Sequence, residues 1–261
     1  MGEPMEFDAN ACDRFIEATR DRPARPMLLE ALKHVPRPGV AVDLGCGAGN
    51  VTALLRRRWP DARIVSIDNS AEMLARARAK ADADAWIEAD ITDWQPEEKI
   101  DVLFTNAALQ WLDGHDALFP RLAGFVAPGG CLAIQIPANH DSSAHRLVVD
   151  TARDGPWRDR LEPVLRDRSV GDAAFYYDLL RPHTDALDIW YTEYTQVFSG
   201  ENPILDFIKG SRLRPLLAAL DEPERSAFET EFAKRVAAAH PKRADGATLY
   251  PFKRLFIVAT V

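Results

Sequence analysis

No stretch of the chain approaches the roughly 18 consecutive apolar residues of a membrane span, so the sequence predicts no transmembrane segment. Cysteine is scarce: Cys12, Cys46 and Cys131 are odd in number, far apart, and form no Cys-x-x-Cys. That spacing excludes a disulfide frame and a cysteine zinc site and fits a reducing compartment; no metal is expected. Blocks of lysine and arginine are missing too, and the net charge is −8. A phosphate backbone is repelled by such a chain, so no nucleic-acid partner is expected. The opening stretch MGEPMEFDANACDRF is acidic and lacks an apolar h-region, so a cytoplasmic protein without membrane contact is expected. Internal repeats and low-complexity tracts are also lacking.

What is present is an ordinary soluble composition, with 47% hydrophobic residues in a 261-residue chain. A core of good size can be buried without metal or disulfide staples. The first half alternates short apolar strands with amphipathic helices. Strands are predicted at Val40–Leu44, Ala62–Asp68, Ala85–Asp90, Ile100–Asn106 and Cys131–Ile136, and helices at Asn50–Trp59 and His115–Val126. Asn69, with Glu72 three residues on, reads as the capping box of a further helix, and Pro128-Gly129-Gly130 reads as a turn. The βαβα order predicts a parallel sheet with helices on both faces, whose ligand site lies beyond the carboxyl ends of the strands.

Beyond Pro137 the pattern changes. Leu187–Val197 is rich in aromatic and β-branched residues and reads as a strand. Asp221 and Glu224 suggest a capping box for a helix bearing Phe228, Phe232 and Val236, and RLFIVATV closes the chain as a last strand. The expectation is one domain, 1–261, with a seven-stranded α/β sheet. Residues 1–38 form an N-terminal helical cap and 39–136 a ligand-binding core. Segments 137–186 and 198–246 are helical lid insertions, and 187–197 and 247–261 supply the last two strands.

The most informative stretch is VDLGCGAGN, Val42–Asn50. Three glycines at alternate positions follow an aspartate at a strand end. The dinucleotide fingerprint G-x-G-x-x-G requires glycine at position 50, but Asn50 stands there and Gly49 comes one place early. That disfavours an NAD-dependent dehydrogenase. The G-x-G-x-G pattern resembles the glycine loop of class I S-adenosylmethionine-dependent methyltransferases. Asp68 closing the second strand, Asp90-Ile91 after the third and the Pro-Gly-Gly before the fifth extend the resemblance over roughly 40–136.

The resemblance implies a Rossmann-like methyltransferase sheet and S-adenosylmethionine as cofactor, with S-adenosylhomocysteine as product. Gly45, Cys46, Gly47 and Asn50 then approach the methionyl carboxylate at a helix N-terminus. Asp43 serves the ammonium end and Asp68 the ribose, and Asn69 is a further cofactor-binding residue. Met73, Asp90 and Ile91 serve adenine, and Asn106 borders the cofactor at the fourth strand's end.

Several further stretches are similar to the trans-aconitate 2-methyltransferase family. They are NAALQWL (106–112), AIQIP (133–137) followed by Asn139 and His145, DIWYTEY (188–194), LRPLL (213–217) and RLFIVA (254–259). Arg20-Asp21-Arg22-Pro23-Ala24 resembles the family's Arg-x-Arg-Pro-Ala. This implies an enzyme that methylates a carboxylate of a small unsaturated tricarboxylic acid, trans-aconitate. The implied substrate-binding residues are Arg20, Arg22, Gln110, Trp111, Asn139, Tyr177 and Arg214. No acid–base catalyst is expected, because an ionised carboxylate needs only positioning.

The chain departs from the family in two places. An N-terminal Trp and Tyr have no counterpart, and the family's Pro-Asp-Asn reads Pro137-Ala138-Asn139, with Ser142-Ser143 where a Glu-Pro is absent. The alternatives are therefore a different small-molecule acceptor or a cofactor-binding protein without catalysis. A monomer is expected, with a dimer as the alternative.

Two charged hydrogen bonds from ribose to Asp68 are worth about 1.5–3 kcal/mol each. Asp68→Ala should thus weaken S-adenosylhomocysteine binding by roughly a hundredfold or more. Isothermal titration checks this, and affinity equal to the parent's removes the cofactor assignment.

Overall fold

Seven strands form one sheet: β1 (Val40–Leu44), β2 (Arg63–Asp68), β3 (Ala85–Glu88), β4 (Ile100–Asn106), β5 (Val126–Pro137), β6 (Ala186–Phe198) and β7 (Thr248–Thr260). Their order is β3-β2-β1-β4-β5-β7-β6. The computed structural model describes residues 21–165 and 170–261. These divide into two compact units, one of 21–137, 170–192 and 255–261, the other of 138–165 and 193–254.

In the first unit β1 pairs in parallel with β2 and β4, β2 with β3, and β4 with β5. The chain winds outward from β1 to β3 on one side and from β4 onward on the other. The strand order therefore reverses between β1 and β4, and the loops leaving their carboxyl ends lie side by side. β1 and β4 are buried along nearly their whole length, as expected of strands covered on both faces. Cys131 in β5 is fully buried, and burial pushes its thiol up to about 12, so it stays an unreactive core residue.

The helices of this unit are α1 (Asp21–His34), α2 (Asn50–Arg58), α3 (Ala71–Lys80), α4 (His115–Phe125) and, later in the chain, α7 (Ala173–Leu180). Each buries an apolar stripe; in α2 it is Val51, Leu54 and Leu55, with Thr52 beside them. The predicted cap of α3 moves by one residue. Ser70, not Asn69, takes the extended conformation and accepts from the Met73 N–H at 3.2 Å.

Pro128-Gly129-Gly130 is not a turn between elements but part of β5. The ladder with β4 shifts register between Ile100 and Val102, and Gly129 sits at φ +76°. There the backbone bonds to the far end of β7, Gly129 N–H to Val261 O and Val261 N–H to Gly130 O, while Ala138 N–H donates to Lys253 O. Residue numbers rise along β5 as they fall along β7, so β7 runs antiparallel in an otherwise parallel half-sheet.

The second unit is mainly helical: α5 (Ser143–Asp154), α6 (Arg158–Leu161), α8 (Pro203–Lys209), α9 (Arg214–Ala218) and α10 (Glu224–Ala239). Its core joins Val148, Trp157, Ile208, Leu216, Phe232 and Tyr250. The expected capping box of α10 does not form. Pro223 occupies the N-cap without a side-chain bond, and Glu222 instead accepts from Ser226 Oγ at 2.7 Å. The predicted apolar face is present, with Phe228, Phe232 and Val236 buried.

Phe228 is fully buried and meets the Trp157 ring edge-on at 5.3 Å. Phe228→Ala should cost about 3–5 kcal/mol through lost contacts and the cavity left behind. Urea unfolding followed by circular dichroism checks the value.

Candidate functional site

The site is built at the reversal of strand order. β1 delivers the chain into the glycine loop, and α2 begins at Asn50. Gly45 sits at φ +76°, a left-handed conformation costly for any residue with a Cβ. Its N–H and that of Cys46 both donate to Ile67 O, at 2.8 and 2.9 Å, and Gly47 N–H donates to Asp68 Oδ2 at 2.8 Å. The loop is thus stitched to the end of β2.

The neighbouring loop after β4 presses on it. A Cβ on Gly45 would lie 2.4 Å from Ala108 Cβ. The chain reaches that position because Ala107 takes φ +55°, which among the described residues no other non-glycine does. A left-handed alanine stores strain and must be held by its surroundings. Its N–H donates to Gln135 O at 2.9 Å, and its carbonyl accepts from Gln110 Nε2 at 2.7 Å. Gln110 and Trp111 lie in the 3₁₀ turn Leu109–Trp111, just beyond Asn106, which is buried at the end of β4.

Three carboxylates line the strand ends. Asp43 is 1% exposed and accepts from Thr52 Oγ1 at 2.6 Å; that hydroxyl also meets Ser66 Oγ at 2.9 Å. Asp68 accepts from Gly47 N–H and, through Oδ1, from Ser70 N–H at 3.0 Å. Asp90 accepts from the Thr92 N–H at 2.8 Å and hydroxyl at 2.6 Å. Those two bonds, with a weaker one from the Asn69 side chain, hold its carboxyl below the usual carboxylate range. Ile91 follows, and its carbonyl accepts from Arg121 of α4. Met73 is 3% exposed on the buried face of α3.

The structure thus brings Asp43, Gly45, Cys46, Gly47, Asn50, Asp68, Asn69, Asp90, Ile91, Asn106, Gln110 and Trp111 to one end of the first unit. Tyr177 of α7 belongs to the same unit and is 48% exposed. Asn139 and Arg214 belong to the second unit. There Asn139 is buried and donates through Nδ2 to the Tyr250 hydroxyl at 3.5 Å, and Arg214 opens α9. Arg20 lies outside the described residues, and of Arg22 only the helical backbone is described.

Sequence reasoning missed several participants. Thr52, Ser66 and Thr92 orient the carboxylates, and Arg121 fastens the loop after β3; only Asp90-x-Thr92, an Asx-turn spacing, left a local trace. In the second unit His145 Nδ1 lies 3.0 Å from Ser142 Oγ. Burial, then the positive neighbours His140 and Arg212, push its pKa down to about 3, so it is a neutral packing histidine at pH 7. Arg254 is only 1% exposed, with its guanidinium 4.6 Å from the Phe252 ring centroid.

This donor and acceptor set fits S-adenosylmethionine. The first turn of α2 has no side-chain cap and no acidic residue, so its positive end is available to a carboxylate. The carboxylates at the ends of β1 and β2 and beyond β3 are acceptors of the kind that ammonium, hydroxyl and amine groups require. The cradle itself is closed to any side chain at Gly45.

The methyltransferase domain family matches residues 41–130. The trans-aconitate 2-methyltransferase of Azoarcus sp. (strain BH72) is 44% identical over 95% of this chain and 94% of its own length. That of Rhodopseudomonas palustris (strain BisB18) is 42% identical over 97% and 98%. Among solved structures, the plantazolicin methyltransferase BpumL, in complex with a desmethylPZN analog and SAH, aligns at TM-score 0.54 and 14% identity over 97% of this chain and 90% of that one. The YcgJ protein from Bacillus subtilis aligns at 0.55 and 11% over 90% and 97%. At such identities these two establish the fold, the Rossmann-like methyltransferase sheet.

Gly45→Ala is expected to weaken S-adenosylhomocysteine binding by about tenfold or more, since the new methyl must displace Ala108 from a strained loop. Titration calorimetry reads the change, and parental affinity contradicts the account of the cradle.

The cofactor is S-adenosylmethionine and the protein is a methyltransferase. Because the likeness to the curated relatives runs through the segments beyond β5 as well as through the cofactor core, the chain belongs to the trans-aconitate 2-methyltransferase family.

Proposed function

We propose that the protein transfers the methyl group of S-adenosylmethionine to a carboxylate of trans-aconitate, giving a monomethyl ester and S-adenosylhomocysteine. The observation that carries this reading is the near-full-length relationship to curated trans-aconitate 2-methyltransferases, since the cofactor loop alone is shared by enzymes of many acceptors. The order of the site agrees with it, with a cofactor cradle and a strained acceptor-side turn in direct contact at one strand reversal.

Bound cofactor supplies a methyl carbon activated by a positively charged sulfur. The acceptor carboxylate, with an ordinary pKa near 4, is ionised at pH 7, so no side chain has to remove a proton. An oxygen–carbon bond forms as the carbon–sulfur bond breaks, and the electron pair left on sulfur cancels its charge. The protein's work is to align the reacting atoms and exclude water.

In this reading Gly45, Cys46, Gly47 and Asn50 hold the methionyl carboxylate and Asp43 the ammonium side. Asp68 takes the ribose hydroxyls, and Asp90 with Asn69 the adenine edge. Ile91 and Met73 pack the adenine faces, and Asn106 adjoins the methyl donor. Gln110 and Trp111 shape the acceptor side. The acceptor's remaining carboxylates call for guanidinium partners, and Arg20, Arg22 and Arg214 are those the sequence puts forward. Asn139 and Tyr177 complete the proposed set. The protein is placed in the cytoplasm and read as a monomer.

Incubation with methyl-labelled S-adenosylmethionine and a panel of di- and tricarboxylic acids tests the acceptor. A trans-aconitate monomethyl ester, identified by mass spectrometry, is the expected product. Tight S-adenosylhomocysteine binding with no ester from any acid in the panel would overturn the acceptor and keep the cofactor.

A further inference from the structure

His115 and Tyr176 form a buried pair that the reaction described so far does not use. His115 opens α4 and is 4% exposed, and Tyr176 in α7 is fully buried. His115 Nε2 lies 2.9 Å from Leu109 O, and Nδ1 lies 2.7 Å from the Tyr176 hydroxyl. A carbonyl can only accept, so Nε2 carries the hydrogen. A neutral ring then leaves Nδ1 bare, and the tyrosine hydroxyl must donate to it. The tyrosine oxygen in turn accepts from Gly171 N–H at 3.1 Å. The Leu109 carbonyl at Nε2 and the Tyr176 hydroxyl at Nδ1 together favour the Nε2–H tautomer. Burial lowers the histidine's pKa, against the opposing pull of the Leu109 and Leu112 carbonyls and the Asp113 and Asp116 carboxylates, which keeps the ring neutral at pH 7.

The end of that chain is functionally placed. Leu109 begins the turn that carries Gln110 and Trp111, and its carbonyl also accepts from Leu112 N–H at 3.0 Å. The same turn hangs from the left-handed Ala107, a conformation that relaxes unless held. The other end is firm as well. Tyr176 is stacked on Phe119 at 4.5 Å, and Asp172 caps α7 by accepting from Phe175 N–H at 2.9 Å.

We infer that His115 and Tyr176 are positioning residues for methyl transfer: through the Leu109 carbonyl they fix the acceptor-side turn over the glycine loop, setting how the acceptor is presented rather than how tightly the cofactor binds. The inference rests on the reading that Gln110 and Trp111 face the acceptor. His115 fixes the turn as a hydrogen donor. Tyr176 fixes His115 in the tautomer that can donate.

The test uses the full chain and three variants. Tyr176→Phe keeps the ring stack and removes the hydroxyl. His115→Gln retains a donor at the position of Nε2, whereas His115→Asn retains an acceptor at the position of Nδ1 and loses the donor. With trans-aconitate as acceptor, kcat/KM should fall roughly fivefold to tenfold in Tyr176→Phe and His115→Asn, as expected for one lost hydrogen bond. His115→Gln should recover most of that loss, and S-adenosylhomocysteine affinity should stay within about twofold in all three. Nitrogen-15 spectra should show His115 as the Nε2–H tautomer in the parent.

Parental kcat/KM in His115→Asn overturns the inference. So does an Nδ1–H tautomer, or a loss of cofactor affinity as large as the loss of kcat/KM. If the parent methylates no polycarboxylate, the acceptor assignment fails instead, and the tautomer together with the Gln110 and Trp111 amide shifts in His115→Asn still decides whether this coupling exists.

Discussion

The contact between Gly45 and Ala108 is the constraint on which the rest of the site depends. Two adjacent parallel strands end together, and the loops leaving them compete for one space. One loop gives way by having no side chain, and the other by forcing an alanine into a left-handed conformation. Gln135 and Gln110 hold that alanine from either side. The result is a glycine loop and a neighbouring 3₁₀ turn in close approach at the reversal of strand order.

Around this contact the polar groups are arranged to be costly only when disturbed. A buried carboxylate such as Asp43 is tolerated because Thr52 donates to it from the first turn of α2, with Ser66 of β2 behind. Asp68 plays two parts in the same way. It faces the proposed ribose position and, through Gly47 N–H, keeps the glycine loop in shape. Local charge, not the chain's overall negative balance, therefore decides what binds at this end of the sheet.

Much of this was legible in the sequence. Buried strands of a parallel sheet are continuous apolar runs, so β1 to β5 could be placed within a residue or two at most ends, and the spacing of Gly45, Gly47 and Gly49 identified the loop. The misses have physical causes. Asn69 and Ser70 are both competent caps; in the structure Ser70 caps the helix and the Asn69 side chain engages Asp90, from a distant segment. Pro128-Gly129-Gly130 carries turn residues, yet its backbone pairs with β7, a partner more than a hundred residues away that no local pattern announces. His115 and Tyr176 likewise meet across 61 residues, a pairing that no local pattern announces.

The place of β7 has a consequence for how the chain folds. β7 follows every other strand in sequence yet lies inside the sheet, between β5 and β6. As the polypeptide emerges, β5 must wait as an unsatisfied edge and β6 has no sheet to join until Thr248–Thr260 has been made. Non-local pairings of this kind are slow to form and leave strand edges exposed in the meantime. Until Thr248–Thr260 is in place, the sheet therefore lacks both the strand that covers the β5 edge and the strand on which β6 pairs.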